Sequence, residues 1–255
     1  MSWSPEQYLK FAAPRFRPAL DLLNRITTAN PKTVYDLGCG TGNVTRALIE
    51  RWPHAEVTGV DDSDAMLAQA ARDLPGARWV RQGLADWQPA QPADVIYSNA
   101  ALHWLPAHEQ VFPRLVGYLA PGGTLAAQMP ANFNAPSHTL ITETMLSERW
   151  REKFTHFQMR KPIAEPAWYY GLLAPLAASL DIWVTEYIQV LEGRDPVKEY
   201  TKGTWLRQFL DVLPEAERDA FEEDYAARVR IAYPQRPDGR TLFPFKRLFI
   251  VMQKG

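Results

Sequence analysis

With 255 residues, 46% of them hydrophobic, the chain can bury one substantial α/β core with insertions, or two small domains at most. Its 28 basic residues almost cancel its 29 acidic ones, which leaves no electrostatic footprint for nucleic acid or an anionic membrane and points to a small ligand. Cys39 is the only cysteine, so an internal disulfide is excluded; the residue suits a reducing compartment and reads as a small spacer.

The chain opens on Met1-Ser2-Trp3-Ser4-Pro5-Glu6, which has neither a basic n-region nor an apolar h-region, and no later apolar run is long enough to span a bilayer. A cytoplasmic protein is expected. Pro14 can open a short helix, and Pro18 re-opens it ahead of Ala19, Leu22, Leu23 and Ile26, which share one apolar face before Asn30-Pro31 breaks the run. Strands and helices then alternate: strand 33–37, helix 42–52, strand 56–60, helix 64–72, strands 78–81 and 94–98, helix 107–119, strand 124–129. Alternation at this interval means parallel strands joined by crossover helices, hence an open doubly wound sheet with its ligand at the carboxyl ends of the strands. Residues 131–180 lean helical and are rich in aromatics, 182–190 is patterned as a strand, 195–232 is helical and 247–252 reads as a last strand. The fold expected is therefore a mostly parallel, seven-stranded α/β sheet with an antiparallel edge strand and helical cap insertions. It is divided as an N-terminal helical segment over the site (1–30), a ligand-binding core (31–130), and cap segments with the last two strands (131–255), all in one integrated domain.

Within the core, Val34-Tyr35-Asp36-Leu37-Gly38-Cys39-Gly40-Thr41-Gly42-Asn43 carries an apolar strand into an acidic residue and then three alternating glycines. Glycine lacks Cβ and can take φ > 0, so such a turn brings backbone amides and carbonyls against a ligand. A dinucleotide fingerprint needs G-x-G-x-x-G, whereas here the third glycine comes one residue early, at Gly42, and Asn43 fills the remaining slot. A second strand, Val57-Thr58-Gly59-Val60, ends at Asp61, whose carboxylate can accept both ribose hydroxyls of an adenosyl group. A tight turn with a solvated aspartate explains the glycines singly, but not paired acids at two successive strand ends.

These stretches resemble the class I S-adenosylmethionine-dependent methyltransferases. The likeness rests on Asp36 to Asn43, on Gly59-Val60-Asp61 with Asp62-Ser63-Asp64-Ala65-Met66-Leu67, on Asp94 to Leu105, and on Leu119-Ala120-Pro121-Gly122-Gly123-Thr124-Leu125. Trp3-Ser4-Pro5, Tyr8-Leu9, Arg15, Arg17-Pro18-Ala19, Gln128-Met129-Pro130 with Asn132 and His138, Tyr169-Tyr170, Asp181-Ile182-Trp183, Thr204 with Leu206-Arg207, and Arg247 to Val251 are similar to the trans-aconitate 2-methyltransferase family. The resemblance implies S-adenosylmethionine as cofactor, S-adenosylhomocysteine as product, and a tricarboxylate substrate methylated to its monomethyl ester. The cofactor residues it implies are Tyr8, Asp36, Gly38, Gly40, Asn43, Asp61, Asp62, Met66, Leu84, Ala85, Asp86, Trp87, Asn99 and Ala100. Asp36 would face the cofactor's ammonium end or cap the following helix. Many relatives place an acid after the third strand to receive the adenine, but here that position is Gly83, so recognition would pass to backbone around Leu84 and Ala85, with Asp86 and Trp87 beside the ring.

Methyl transfer from a sulfonium is an in-line displacement, so the protein chiefly orients the attacking oxygen and excludes water. A carboxylate nucleophile is already ionised at pH 7, which leaves no catalytic base to assign. Three negative charges do need partners in a partly dry cavity, and arginine forks suit non-reacting carboxylates. Arg207 and Arg247 are the preferred clamps, with Arg15 or Arg17 from the N-terminal segment, and His103 is a neutral donor or pocket-lining group. No Cys/His cluster or carboxylate set has metal-ligand spacing, so no metal is expected, and no protein partner is identifiable. The alternatives are a methyltransferase for another small acid or metabolite, a nicotinamide-dependent reductase disfavoured by the glycine spacing, and a catalytically silent adenosyl-binding module.

Overall fold

The computed structural model describes the backbone of residues 12–255 and side chains from Phe16 onward; Tyr8 and the side chain of Arg15 lie outside the described residues. Helix α1 (Ala12–Arg25) runs unbroken through Pro18, where a restart was expected. Proline removes a single helical N–H bond. Burial of Ala19, Leu22, Leu23 and Ile26 on one face offsets that loss.

Seven strands form one sheet: β1 (Thr33–Leu37), β2 (Glu56–Asp61), β3 (Arg78–Arg81), β4 (Ala93–Asn99), β5 (Leu119–Pro130), β6 (Ala177–Leu191) and β7 (Thr241–Lys254), in the order β3-β2-β1-β4-β5-β7-β6. The first five pair in parallel, with Asp36 opposite Gly59 on one side and Tyr97 on the other. Crossovers run through α2 (Asn43–Arg51), α3 (Asp64–Asp73) and α4 (His108–Gly117). All five residues of β1 are buried, as a central strand covered on both faces requires.

β5 starts earlier than the apolar pattern suggested, because Pro121-Gly122-Gly123 loops out within it. Ala93 pairs with Leu119, and the next partner pair is Val95 with Thr124. A Cβ at Gly123 would stand 2.8 Å from the Ala93 carbonyl oxygen, so only glycine lets the chains close there. β7 runs against β5: Lys254 Nζ reaches the Leu119 carbonyl, and at the other end the Ala131 N–H donates to the Lys246 carbonyl. Gly255 donates to Leu176, just before β6, and Trp183 stacks on Phe249 at 4.7 Å. The reversed strand thus enters between β5 and β6. Both terminal strands are longer than their apolar stretches, since backbone pairing continues through polar and small residues.

The chain divides into two compact units: residues up to Met129 with Ile163–Thr185 and Arg247–Gly255, and Pro130–Pro162 with Glu186–Lys246. The first also contains α6 (Pro166–Leu173). The second is built from α5 (Pro136–Leu146), α7 (Pro196–Lys202), α8 (Arg207–Leu210) and α9 (Glu215–Ala232), so the helical region expected over 195–232 is interrupted at Gly203 and Pro214. Its core is aromatic, with Trp150, Phe154, Phe157, Phe209 and Phe221 in mutual ring contact. No described helix is long and apolar enough to cross a membrane.

Helix α1 is tied to the sheet by the buried Tyr97 hydroxyl, which donates to the Ala19 carbonyl at 2.7 Å. Tyr97→Phe should remove this second bond to a carbonyl that the helix already uses and cost about 0.5–1.5 kcal/mol. Urea unfolding of the two proteins would measure it, and equal stability would show that the bond contributes nothing net.

Candidate active site

The turn after β1 places Gly38, Gly40 and Gly42 at φ +76, +54 and +79°. The Gly38 and Cys39 N–H groups both donate to the Val60 carbonyl, at 2.8 and 3.1 Å, which draws the turn onto the end of β2. Asp61 completes the tie: one carboxylate oxygen accepts from the Gly40 N–H at 2.9 Å and the other from the Ser63 N–H at 3.0 Å. Partial burial raises the Asp61 carboxyl above its ordinary value, against the lowering effect of these two amides. Space around the glycines is uneven. A Cβ on Gly38 would stand 2.2 Å from the Ala101 Cβ, whereas one on Gly40 meets no atom of the described residues within 4 Å. Gly40 therefore lines an open cradle beside the Asp61 carboxylate.

Asp36 is 1% exposed, and its carboxylate accepts from the Thr45 hydroxyl at 2.6 Å. Of its two expected roles, the helix-directed one takes this form: the partner is a side chain of α2, while the N-cap is Gly42 with no side-chain cap bond. Burial pushes the Asp36 carboxyl up to about 7; the Thr45 bond opposes this and the Asp61 charge adds to it. Asn43 is exposed at the start of α2, Asp62 is exposed beyond β2, and the Met66 side chain is buried on α3.

After β3, the Leu84 and Ala85 carbonyls both accept from the Arg114 guanidinium, the former at 3.0 Å. Arg114 was not singled out from sequence, because an arginine in a crossover helix carries no signal of what it will reach. Asp86 is exposed, and Trp87 is enclosed at 1% exposure with its ring against Tyr35 and Tyr118, so the indole is a core group.

At the ends of β4 and β5, Asn99 lies opposite Gln128, and Ala100 holds φ +54° while its N–H donates to the Gln128 carbonyl at 2.9 Å. A non-glycine residue in this region carries strain of the kind concentrated at functional sites. Asn99 Oδ1 is buried without a hydrogen-bond partner among the described residues. His103 is half-buried in a short 3-10 turn, its ring tilted against Trp104 at 4.4 Å. That turn is braced by His108, whose Nε2 lies 3.0 Å from the Leu102 carbonyl and whose Nδ1 lies 2.6 Å from the Tyr169 hydroxyl. A carbonyl can only accept, so Nε2 carries the proton and Nδ1 accepts from Tyr169. The two proposed clamps differ. Arg247 is 3% exposed and donates to Gln128 Oε1 at 3.3 Å, while Arg207, in the second unit, has a side chain 41% exposed and 3.7 Å from Asp211. The structure brings Asp36, Gly38, Gly40, Asp61, Asn99, Ala100 and Arg247 to the strand ends of the first unit.

Residues 34–123 match the family model described as a methyltransferase domain. In fold, the chain is similar to a Haemonchus contortus phosphoethanolamine N-methyltransferase 2 in complex with S-adenosyl-L-methionine (TM-score 0.54, 16% identity, 94% of this chain and 53% of that one). It is likewise similar to a coclaurine N-methyltransferase bound to N-methylheliamine and S-adenosylhomocysteine (TM-score 0.54, 13% identity, 94% and 72%). Strand order, glycine turn and acid at the second strand tip define a class I S-adenosylmethionine-dependent methyltransferase. Three relatives narrow the class: trans-aconitate 2-methyltransferases of Azoarcus sp. strain BH72 (46% identical, 98% of each chain), Rhodopseudomonas palustris strain BisB18 (46%, 99% of each) and Klebsiella pneumoniae strain 342 (44%, 99% of this chain and 98% of that one). The chain belongs to the trans-aconitate 2-methyltransferase family.

Two outcomes follow from this geometry. Gly40→Ala meets no clash and carries only the left-handed strain of about 1–2 kcal/mol, yet puts a methyl group into the cradle. It should fold and lose at least roughly tenfold in S-adenosylhomocysteine affinity by calorimetry, a loss of about 1.4 kcal/mol. Gly38→Ala should instead fail by unfolding, because its Cβ overlaps Ala101. The second outcome concerns Asp36, whose folded carboxyl is raised from 3.8 to about 7. Its favourable contribution is fully present below pH 3.8 and is lost as pH rises through about 7. Relative to the wild type, Asp36→Asn should gain stability by roughly 1.4 kcal/mol per pH unit across that window and level off above it. Urea unfolding between pH 4 and 8 measures this; a pH-independent difference would mean that the buried carboxyl titrates normally.

Proposed function

We propose that this enzyme transfers a methyl group from S-adenosylmethionine to one carboxylate of trans-aconitate, giving the monomethyl ester. The observation that carries the reading is Arg247, a residue 3% exposed whose guanidinium donates to Gln128 at the end of β5, in a chain 46% identical to enzymes of that name. A buried guanidinium offers five donors in a planar fork, which suits a carboxylate. The cofactor site fits the residues present. Gly40 leaves backbone-height space, Asp61 offers its carboxylate to the ribose hydroxyls, and the buried Asn99 Oδ1 is matched by an ammonium donor.

When bound, S-adenosylmethionine supplies an electrophilic methyl carbon on a sulfonium and leaves as S-adenosylhomocysteine. The substrate carboxylate is ionised at neutral pH and supplies the electron pair for the new C–O bond without giving up a proton. The chain's work is to bind, orient and exclude water. Arg247 and Arg207 pair the non-reacting carboxylates, with Arg15 or Arg17 as a third cation. His103 lines the pocket as a neutral group, Tyr8 covers the cofactor, and Asp36, Gly38 and Asn43 serve its methionyl end. Asp62, Met66, Leu84, Ala85, Asp86 and Trp87 flank the adenosyl part, Trp87 through its backbone. The substrate is a small-molecule tricarboxylate. A reduced lone Cys39 and near-neutral charge suit an enzyme of the cytoplasm.

With saturating cofactor and a panel of di- and tricarboxylates, mass spectrometry should detect one added methyl on trans-aconitate. Turnover of another acid, and none of trans-aconitate, would overturn the substrate. Arg247→Leu and Arg207→Leu should each raise KM for trans-aconitate at least tenfold, about 1.4 kcal/mol, while cofactor affinity stays near that of the wild type. With no proton to remove, kcat should be nearly flat from about pH 6.5 to 8.5.

A further inference from the structure

Gln128 is fully buried in β5, and its two amide ends are not equivalent. A guanidinium has donors only, so the end 3.3 Å from the Arg247 guanidinium is the oxygen. The Nε2 end is thereby fixed, and it is buried with no hydrogen-bond partner among the described residues. Leaving a buried amide donor unpaired costs about 1–3 kcal/mol, which native cores seldom carry without a reason. On the neighbouring strand, Asn99 is the register partner of Gln128, so the two side chains share a face, and Asn99 Oδ1 is likewise buried and unpartnered. One strand thus offers a neutral acceptor, the next a neutral donor, and the donor is anchored to a buried cation.

We infer that the Gln128 Nε2–H group holds the carboxylate that is methylated, while Arg247 holds a neighbouring carboxylate of the same substrate. This rests on the methyltransferase reading above and names the residue that selects the nucleophile. The physical reason lies in donor strength. A charge-assisted bond from a guanidinium is roughly twice as strong as one from a neutral amide. Whatever stabilises the anion before attack also lowers its nucleophilicity, so a carboxylate forked by arginine is orientated but quenched. A carboxylate held by a single neutral amide is orientated and stays reactive. Asn99 Oδ1, an acceptor, repels a second carboxylate and suits the cofactor's ammonium, which places cofactor and nucleophile on adjacent strand ends. Gln128 also sets the charge of the clamp: a carboxylate in its place would neutralise Arg247.

The test compares wild type, Gln128→Met and Gln128→Glu with trans-aconitate at saturating cofactor, with the ester isomers resolved by NMR. Gln128→Met keeps the volume and removes the donor. It should lower kcat/KM for trans-aconitate at least tenfold and yield a mixture of monomethyl isomers, with S-adenosylhomocysteine affinity unchanged. Gln128→Glu should raise KM for the tricarboxylate by more than tenfold. A structural role for Gln128 would leave the isomer ratio as in the wild type. Wild-type kinetics and a single isomer in Gln128→Met would overturn the inference while leaving the substrate assignment standing. Failure of the wild type to methylate trans-aconitate would overturn both. Should the variants not fold, the wild type saturated with S-adenosylhomocysteine and labelled with 15N-glutamine decides it: the Gln128 side-chain amide signals, assigned through the backbone, should shift on adding trans-aconitate. Unmoved signals at saturating substrate would equally sink the idea.

Discussion

The bonds between the first glycine turn and the end of β2 are the constraint on which the rest of the site depends. Gly38 and Cys39 donate to Val60, Gly40 donates to the Asp61 carboxylate, and Ser63 holds its second oxygen. These contacts require left-handed backbone at the turn and parallel register between β1 and β2, because any slip would carry Asp61 out of reach of Gly40. They leave the Gly40 face open and the Asp61 lone pairs directed, which is what a ribose-bearing cofactor needs.

Two buried charges flank this frame and are handled differently. Asp36 lies just before the turn with the Thr45 hydroxyl as partner, and burial pushes its carboxyl up to about 7. Arg247 is buried in β7 and donates to Gln128 Oε1 on β5. Burying a charged group costs free energy, and each of the two is met by a polar side chain.

The second unit carries its own polar device inside an aromatic core. The Lys246 N–H donates to Asn132 Oδ1, Asn132 Nδ2 donates to Ser137 Oγ, and Ser137 Oγ shares a hydrogen bond with His138 Nδ1 at 3.0 Å. Burial holds the His138 pKa down to about 3, so the ring stays neutral among Phe133, Trp205 and Phe245. Neutrality here comes from packing and persists through the physiological pH range.

By itself, the sequence determined the parallel core and its ligand class. Alternating apolar runs, three glycines at the right spacing and an acid at each of two strand ends are local signals, and the bounds of β1 and β3 follow from them. Its reach ended where the deciding contacts are non-local. Apolar pattern understated β5, β6 and β7 because ladder bonds do not depend on side-chain polarity, and Pro18 pointed to a break that tertiary burial overrides. Trp87 read as a ligand-facing ring but is core, since Tyr35 and Tyr118 arrive from other elements to enclose it. Arginine is the clearest case. Arg207 and Arg247 look alike as residues, and only the fold makes one a half-exposed partner of Asp211 and the other a buried cation aligned with Gln128. Their difference is one of burial and neighbours far away in the chain, properties that exist only once the sheet has formed.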